Sequence, residues 1–246
     1  MLDRFAFTSM TGAKHAMGQL ANTANNMANV QTPGFREMLS TFRAVPVTGA
    51  SADSRAFVVD STAGSDFTPG TISTTNNPLD VAIRRRGMLT MMTDNGGEAY
   101  TRSGRLSVDE FGILRGAQDL PVKGEQGPIR LPEGYSQIQI QPNGAVYAVL
   151  KGETEPTLVD HIKLVDPADR DLTRRGDGLF EAPQLQPADT WVRLESGALE
   201  MSNVNVAQAM VQMIEQNRLF DLNIRMVQTA EQNSRNASQL VSLSRG

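Results

Sequence analysis

The two ends of the chain resemble each other more than either resembles the middle. From Met10 to Met27 the apolar residues fall at Met10, Ala13, Met17, Leu20, Ala24 and Met27, in alternating steps of three and four. That alternation is the a/d seam of a heptad helix. Near the other end it recurs at Val206, Met210, Met213, Phe220, Ile224 and Val227, with the polar Asn217 where one further seam residue is due. Two helices far apart in the chain each present a face that must be covered. An isolated helix is marginal in water, so the chain is expected to assemble through its termini.

The first helix is expected from about Phe7 to Val30 within a segment spanning 1–35. Pro33 disfavours helix at Thr32, and Gly34 accepts a positive φ, so Thr32-Pro33-Gly34 ends it. Residues 36–67 lack sustained periodicity and are interrupted by Pro46 and Gly49, which suggests an extended connector. Over 68–195 the texture is of short β-prone runs with turns at Asp94-Asn95-Gly96-Gly97, Pro142-Asn143-Gly144 and Asp177-Gly178. Leu79, Val81 and Ile83 alternate with Asp80 and Ala82, and Ile138 and Ile140 alternate with Gln137, Gln139 and Gln141, as half-buried strands do. After Gly197 neither glycine nor proline returns until Gly246, so the segment 196–246 is expected to carry one long helix of about 40 residues, with Asn205 as its cap and Gln208 at the third position. The predicted fold class is mainly β with long terminal α-helices: a central all-β domain plus an N- and C-terminal helical coiled-coil module (α+β).

Composition removes several functions. There is no cysteine, so disulfides, thiolate metal sites and cysteine nucleophiles are absent. His15 and His161 are the only histidines, and no nucleophile can be placed beside the Asp160-His161 pair. A net charge of −4 gives no electrostatic reason to expect nucleic acid. Residues 16–35 are uncharged but carry Gln19, Asn22, Asn25, Asn26, Asn29 and Gln31, too polar for direct membrane insertion or a cleavable leader. The acidic runs Asp94–Glu98 and Asp166–Asp171 do not have the spacing of a calcium loop. No enzyme activity, cofactor, metal or small-molecule substrate is expected. Arg84-Arg85-Arg86 reads as a solvated turn, and Trp191 as a packing residue.

Two segments carry a resemblance. Ala24-Asn25-Asn26-Met27-Ala28-Asn29-Val30-Gln31-Thr32-Pro33-Gly34-Phe35-Arg36 resembles the N-terminal signature of the bacterial flagellar rod and hook family, through Asn25, Asn26, Asn29, Thr32, Gly34 and Phe35. Leu199-Glu200-Met201-Ser202-Asn203-Val204-Asn205 is similar to the C-terminal signature, through Ser202, Asn203, Val204 and Asn205. Pro78 to Ile83 and Tyr100 to Gly104 look like the β domain of that family, and Thr32 to Val47 is closer to its proximal rod branch than to its distal one. The resemblance implies a noncatalytic subunit of the flagellar basal-body rod, exported through the flagellar type III apparatus. Its partners would be copies of itself and other axial rod proteins. The seams Met10, Ala13, Met17, Leu20, Ala24, Met27 and Val206, Met210, Met213, Asn217, Phe220, Ile224, Val227 would then be assembly surfaces. A distal rod or hook subunit, or an extracellular β-domain binding protein with a helical hairpin, are the alternatives.

Overall fold

The computed structural model describes residues 2–46, 56–153 and 155–243. They fall into two units. One gathers the chain up to Ala28, the 38–64 stretch and the chain from Val204; the other gathers 29–37 and 65–203.

In the first unit, helix α1 (Leu2–Ala28) lies against helix α2 (Val206–Leu243). Asn205 caps α2 as its sequence suggests: its Oδ1 accepts the Gln208 N–H at 3.2 Å. The buried line of α1 runs through Ser9, Ala13, Ala16 and Thr23, with Leu20 half-buried between them. Its steps are those of a heptad, but the residues are small. Small side chains let two helix backbones approach closely, and a Cβ added at Gly12 would lie 2.6 Å from Asn223 Oδ1 on α2. The stretch expected as an extended connector forms a two-stranded ladder of β1 (Met38–Pro46) and β2 (Ala56–Ser65). Asn26 of α1 holds the start of β1 as a strand neighbour would, accepting the Met38 N–H at 2.8 Å and donating to the Met38 carbonyl at 3.0 Å.

The second unit is all β apart from short 3-10 turns, as the turn chemistry suggests. Its strands are β3 (Ile72–Thr74), β4 (Val81–Arg84), β5 (Met88–Met92), β6 (Glu98–Thr101), β7 (Ser107–Val108), β8 (Leu114–Arg115), β9 (Tyr135–Ile140), β10 (Ala145–Leu150), β11 (Thr157–His161), β12 (Leu164–Val165), β13 (Thr173–Arg174), β14 (Phe180–Glu181), β15 (Arg193–Ser196) and β16 (Ala198–Glu200). A five-stranded sheet runs β12-β5-β6-β14-β13 and a three-stranded sheet runs β11-β10-β9, with β15 on β4, β16 on β3 and β7 on β8. The three expected turns join β5 to β6, β9 to β10 and β13 to β14. Ile138 and Ile140 face inward with their glutamine neighbours outward. Around Val81 the alternation is misleading: Asp80 and Ala82 are buried together with Val81 and Ile83, so the strand is dry on both faces, not one. Val81, Ile83, Leu89, Met91, Leu114, Val122, Ile129 and Leu194 belong to one apolar cluster, each such burial stabilising by about 1.5–3 kcal/mol.

One charged cluster pins the five-stranded sheet. Glu98 and Tyr100, two apart on β6, share a face, and the Tyr100 hydroxyl donates to Glu98 Oε2 at 2.8 Å. Glu98 Oε1 accepts from Lys123 Nζ at 2.6 Å and Lys163 Nζ at 2.7 Å. Burial by itself would raise the Glu98 carboxyl, but these donors outweigh it and hold the group below its ordinary 4.5. Burial pushes Tyr100 up to about 12, with the adjacent carboxylate adding to the effect. A carboxyl with a lowered folded-state pKa contributes its full stabilisation above the unfolded value and loses it as pH falls through the folded one. Glu98→Gln should therefore lower stability at neutral pH and flatten the acid loss below pH 4.5, read as urea midpoints across a pH series.

Candidate functional site

The two signature segments meet in the β-rich unit around a buried ion triad. Glu200 Oε1 lies 2.8 Å from Arg36 Nη2, and Glu200 Oε2 lies 3.0 Å from Arg102 Nε. The side chains are 1% exposed for Arg36 and Glu200 and 3% for Arg102. Three further donors go to backbone carbonyls, Arg36 Nη1 to Thr68, Arg102 Nη1 to Gly87 and Arg102 Nη2 to Arg85, while the buried Arg36 Nε has no hydrogen-bond partner among the described residues. Glu200 Oε1 also accepts the Gly70 N–H at 2.9 Å. Burial, with Arg36 close by, brings the Arg102 guanidinium down to about 10 against the pull of Glu200.

The signature residues build the surroundings of this triad. Thr32 donates its hydroxyl to Asn29 Oδ1 at 3.2 Å and its N–H to the Asn29 carbonyl at 3.1 Å, closing the turn after α1. Gly34 has φ +71° and donates its N–H to the Glu200 carbonyl at 2.8 Å. A Cβ there would lie 2.2 Å from Ser103 N, so only glycine lets the chain pass. The Arg174 guanidinium, whose pKa burial lowers, covers the Phe35 ring at 4.8 Å and donates to the Arg36 carbonyl. Asn203 accepts the Glu37 N–H at 2.7 Å and donates to the carbonyls of Asp66 at 2.9 Å and Thr68 at 3.1 Å. Neutral amides and glycine are what the signatures need here, because each satisfies backbone groups inside a crowded junction. Arg36, Arg102 and Glu200 were not singled out as site residues. The available signal was a charged residue inside an apolar run, Glu200 between Leu199 and Met201.

Of the N-terminal seam, Ala13 is buried, Leu20 and Met27 are half-buried, and Ala24 is exposed. Met10 and Met17 are 60% and 63% exposed. On α2, Met213, Phe220, Ile224 and Val227 are half-buried, between the buried Ala209 and Ala230. Val206 and Met210 are more open, and Asn217 turns outward to donate to the Met213 carbonyl at 3.0 Å. A further set of apolar residues points away: Val211, Leu219, Leu222 and Met226 are exposed. At about 100° per residue Val211 and Leu222 fall on the side of α2 opposite Ala209, Phe220 and Val227, and Leu219 and Met226 lie on the flank between. The helix therefore has two apolar faces, one covered within the unit and one open.

Other residues singled out in the sequence divide. Asp160 Oδ1 accepts the backbone N–H groups of His161 at 2.7 Å and Glu125 at 3.3 Å, and His161 Nδ1 is 3.8 Å from Glu125 Oε1. No nucleophile joins them among the described hydrogen bonds. Arg84 pairs with Glu195, and Arg86 with Asp166 and Asp169, all at the surface. Trp191 is not a packing residue: it is 86% exposed, because its neighbours Asp189 and Thr190 form a turn that carries the ring outward. Among the described residues no helix is long and apolar enough to cross a membrane.

A β-rich unit with a closed apolar interior, and long terminal helices that keep an open apolar face, are the plan of a subunit that assembles through its helices. The chain belongs to the flagellar basal-body rod and hook protein family. Residues 195–240 match the family described as flagellar basal body rod FlgEFG protein C-terminal, and residues 82–148 match the flagellar hook protein FlgE/F/G D1 domain. The chain is 41% identical to the flagellar basal-body rod protein FlgF of Escherichia coli, over 99% of this chain and 100% of that protein. It is 40% identical to FlgF of Salmonella typhimurium over the same shares, and 27% identical to the rod protein FlgG of Buchnera aphidicola from Acyrthosiphon pisum, over 94% of this chain and 97% of that one.

Proposed function

We propose that this chain is a structural subunit of the flagellar basal-body rod, in the position held by the relatives named FlgF. The observation that carries this is 41% identity to a FlgF over the whole length of both chains. In this reading α1 and α2 form a coiled-coil module: their heptad steps of small residues close one face, and the open face, with Met10, Met17, Val211, Leu219, Leu222 and Met226, binds copies of the chain and other axial rod proteins. The signature junction has a mechanical role. It ties the segment leaving α1 to the segment entering α2, so a load on one helical end is shared with the other through buried ion pairs. The chain has no catalytic task, and it reaches the rod through the flagellar type III export apparatus with its N-terminal segment retained.

Purified basal bodies test the reading. The protein should be found in the rod fraction with its N-terminal peptide intact, and cells lacking it should make no rod beyond that level and no filament. Recovery of the protein only as a free species, with motility unchanged by its deletion, would overturn the assignment. Cross-linking in the rod to a FlgG neighbour on one side would separate the FlgF position from a distal or hook position.

A further inference from the structure

An open cleft of about 800 Å³ in the β-rich unit is lined by Arg84, Arg85, Arg86, Trp191 and Arg193 together with the carboxylates of Asp166, Asp189 and Glu195. It is a built feature. Arg85 sits at φ +74°, a conformation unusual for a side-chain-bearing residue, and the buried Arg102 holds its carbonyl at 2.6 Å. The backbone N–H of Trp191 is fixed to Asp189 Oδ1 at 2.6 Å, leaving the indole 86% exposed at the rim. Arg84 and Arg86 already have carboxylate partners. Arg85 and Arg193 have none among the described residues; Arg193 Nη1 goes to the carbonyls of Thr190 and Val192. The cleft therefore offers an aromatic face and two cations that lack an anion.

The same unit carries the complement. Phe111 is 76% exposed at the turn between β7 and β8. Asp109 Oδ1 accepts the N–H groups of Phe111 at 2.9 Å and Ile113 at 2.8 Å, so the tip is rigid before it meets anything. Glu110 and Glu133 line the same recess as Phe111, with Arg130, and have no ion-pair partner among the described residues, whereas Asp109 is already paired with Arg115. Exposed aromatics beside uncompensated charge are the composition of interface anchors. The tip and the cleft share no residue, so contact between them joins unlike patches, head to tail, as a helical polymer requires.

We propose that the Glu110–Phe111 tip of one copy of this chain enters the Arg85–Trp191 cleft of a second copy, the phenyl ring stacking on the indole and the Glu110 carboxylate meeting Arg85. This rests on the rod reading only in that a rod subunit is surrounded by copies of itself. It adds a contact between β-rich units to the one expected of the helices.

Trp191 is the sole tryptophan, so its emission reports the cleft alone. Trace wild-type chain titrated with excess Trp191→Phe chain, which is invisible but keeps its tip, should shift to shorter emission wavelength with saturation. Adding Glu110→Arg to the excess chain should raise the half-saturation concentration at least about tenfold. Combining that chain with trace Arg85→Glu chain should restore it, and adding Phe111→Ala should abolish the shift, with circular dichroism checking that each variant is folded. No shift up to millimolar excess, or a shift indifferent to Phe111→Ala, overturns the proposal. Either result leaves the basal-body test of the rod reading untouched.

Discussion

Glu200→Ala should destabilise the β-rich unit by about 3–5 kcal/mol, the cost of removing one partner from a buried ion pair. The high end is expected because one carboxylate serves two guanidinium groups, and its loss leaves Arg36 and Arg102 facing each other in a dry site. Coulomb repulsion between them then adds to their unrecovered desolvation. Glu200→Gln keeps an acceptor for the Gly70 N–H but not the charge, so it should fall between wild type and alanine. Replacing all three residues with methionine should recover only part of the loss: the desolvation cost of the charges goes, but the Gly70 N–H and the carbonyls of Gly87 and Arg85 lose their partners. Urea unfolding followed by circular dichroism on the full chain measures all of these. If Glu200→Ala unfolds within about 1 kcal/mol of wild type, like an ordinary surface ion pair, the triad does not hold the junction.

The triad also shows where sequence reading stops. Helix placement, the three hairpin turns and the Asn205 cap are local, and the residues that decide them lie within a few positions of one another. Arg36 and Glu200 are separated by most of the chain, so no periodicity links them. The signature amides of Asn26 and Asn203 mark where backbone groups need partners, but not which partners. On α1 the heptad is legible in the sequence but not which of its faces meets α2: Ser9, Ala13 and Ala16 are buried, while Met10 and Met17 stay exposed. Residues 36–67 hid a β ladder because pairing between strands depends on backbone groups that a polar, Ser- and Thr-rich stretch does not advertise. Trp191 failed in the opposite sense. Its apolarity argued for burial, and only the turn made by Asp189 reveals that the ring is carried outward.

Leu222→Asp should abolish rod assembly while leaving the isolated chain as stable as wild type. Leu222 is 51% exposed on the open side of α2, where a surface substitution changes stability by no more than about 0.5 kcal/mol. In a polymer the same position meets a neighbour, and each contact must then strip water from a carboxylate among apolar groups, which costs more than the roughly 2–7 kcal/mol of an unpaired neutral polar group. That penalty recurs at every subunit, so assembly fails although folding does not. Met213→Asp makes the contrasting case. Met213 is half-buried on the side turned toward α1, so a charge there should weaken the helix pair within one chain before any neighbour is involved. The melting temperature of the isolated chain separates the two variants, and electron microscopy of basal bodies from cells producing each one reads assembly. Cells that swim normally with Leu222→Asp would mean that the exposed stripe of α2 faces solvent in the rod, and that the seam shared with α1 is the whole of this helix's contribution.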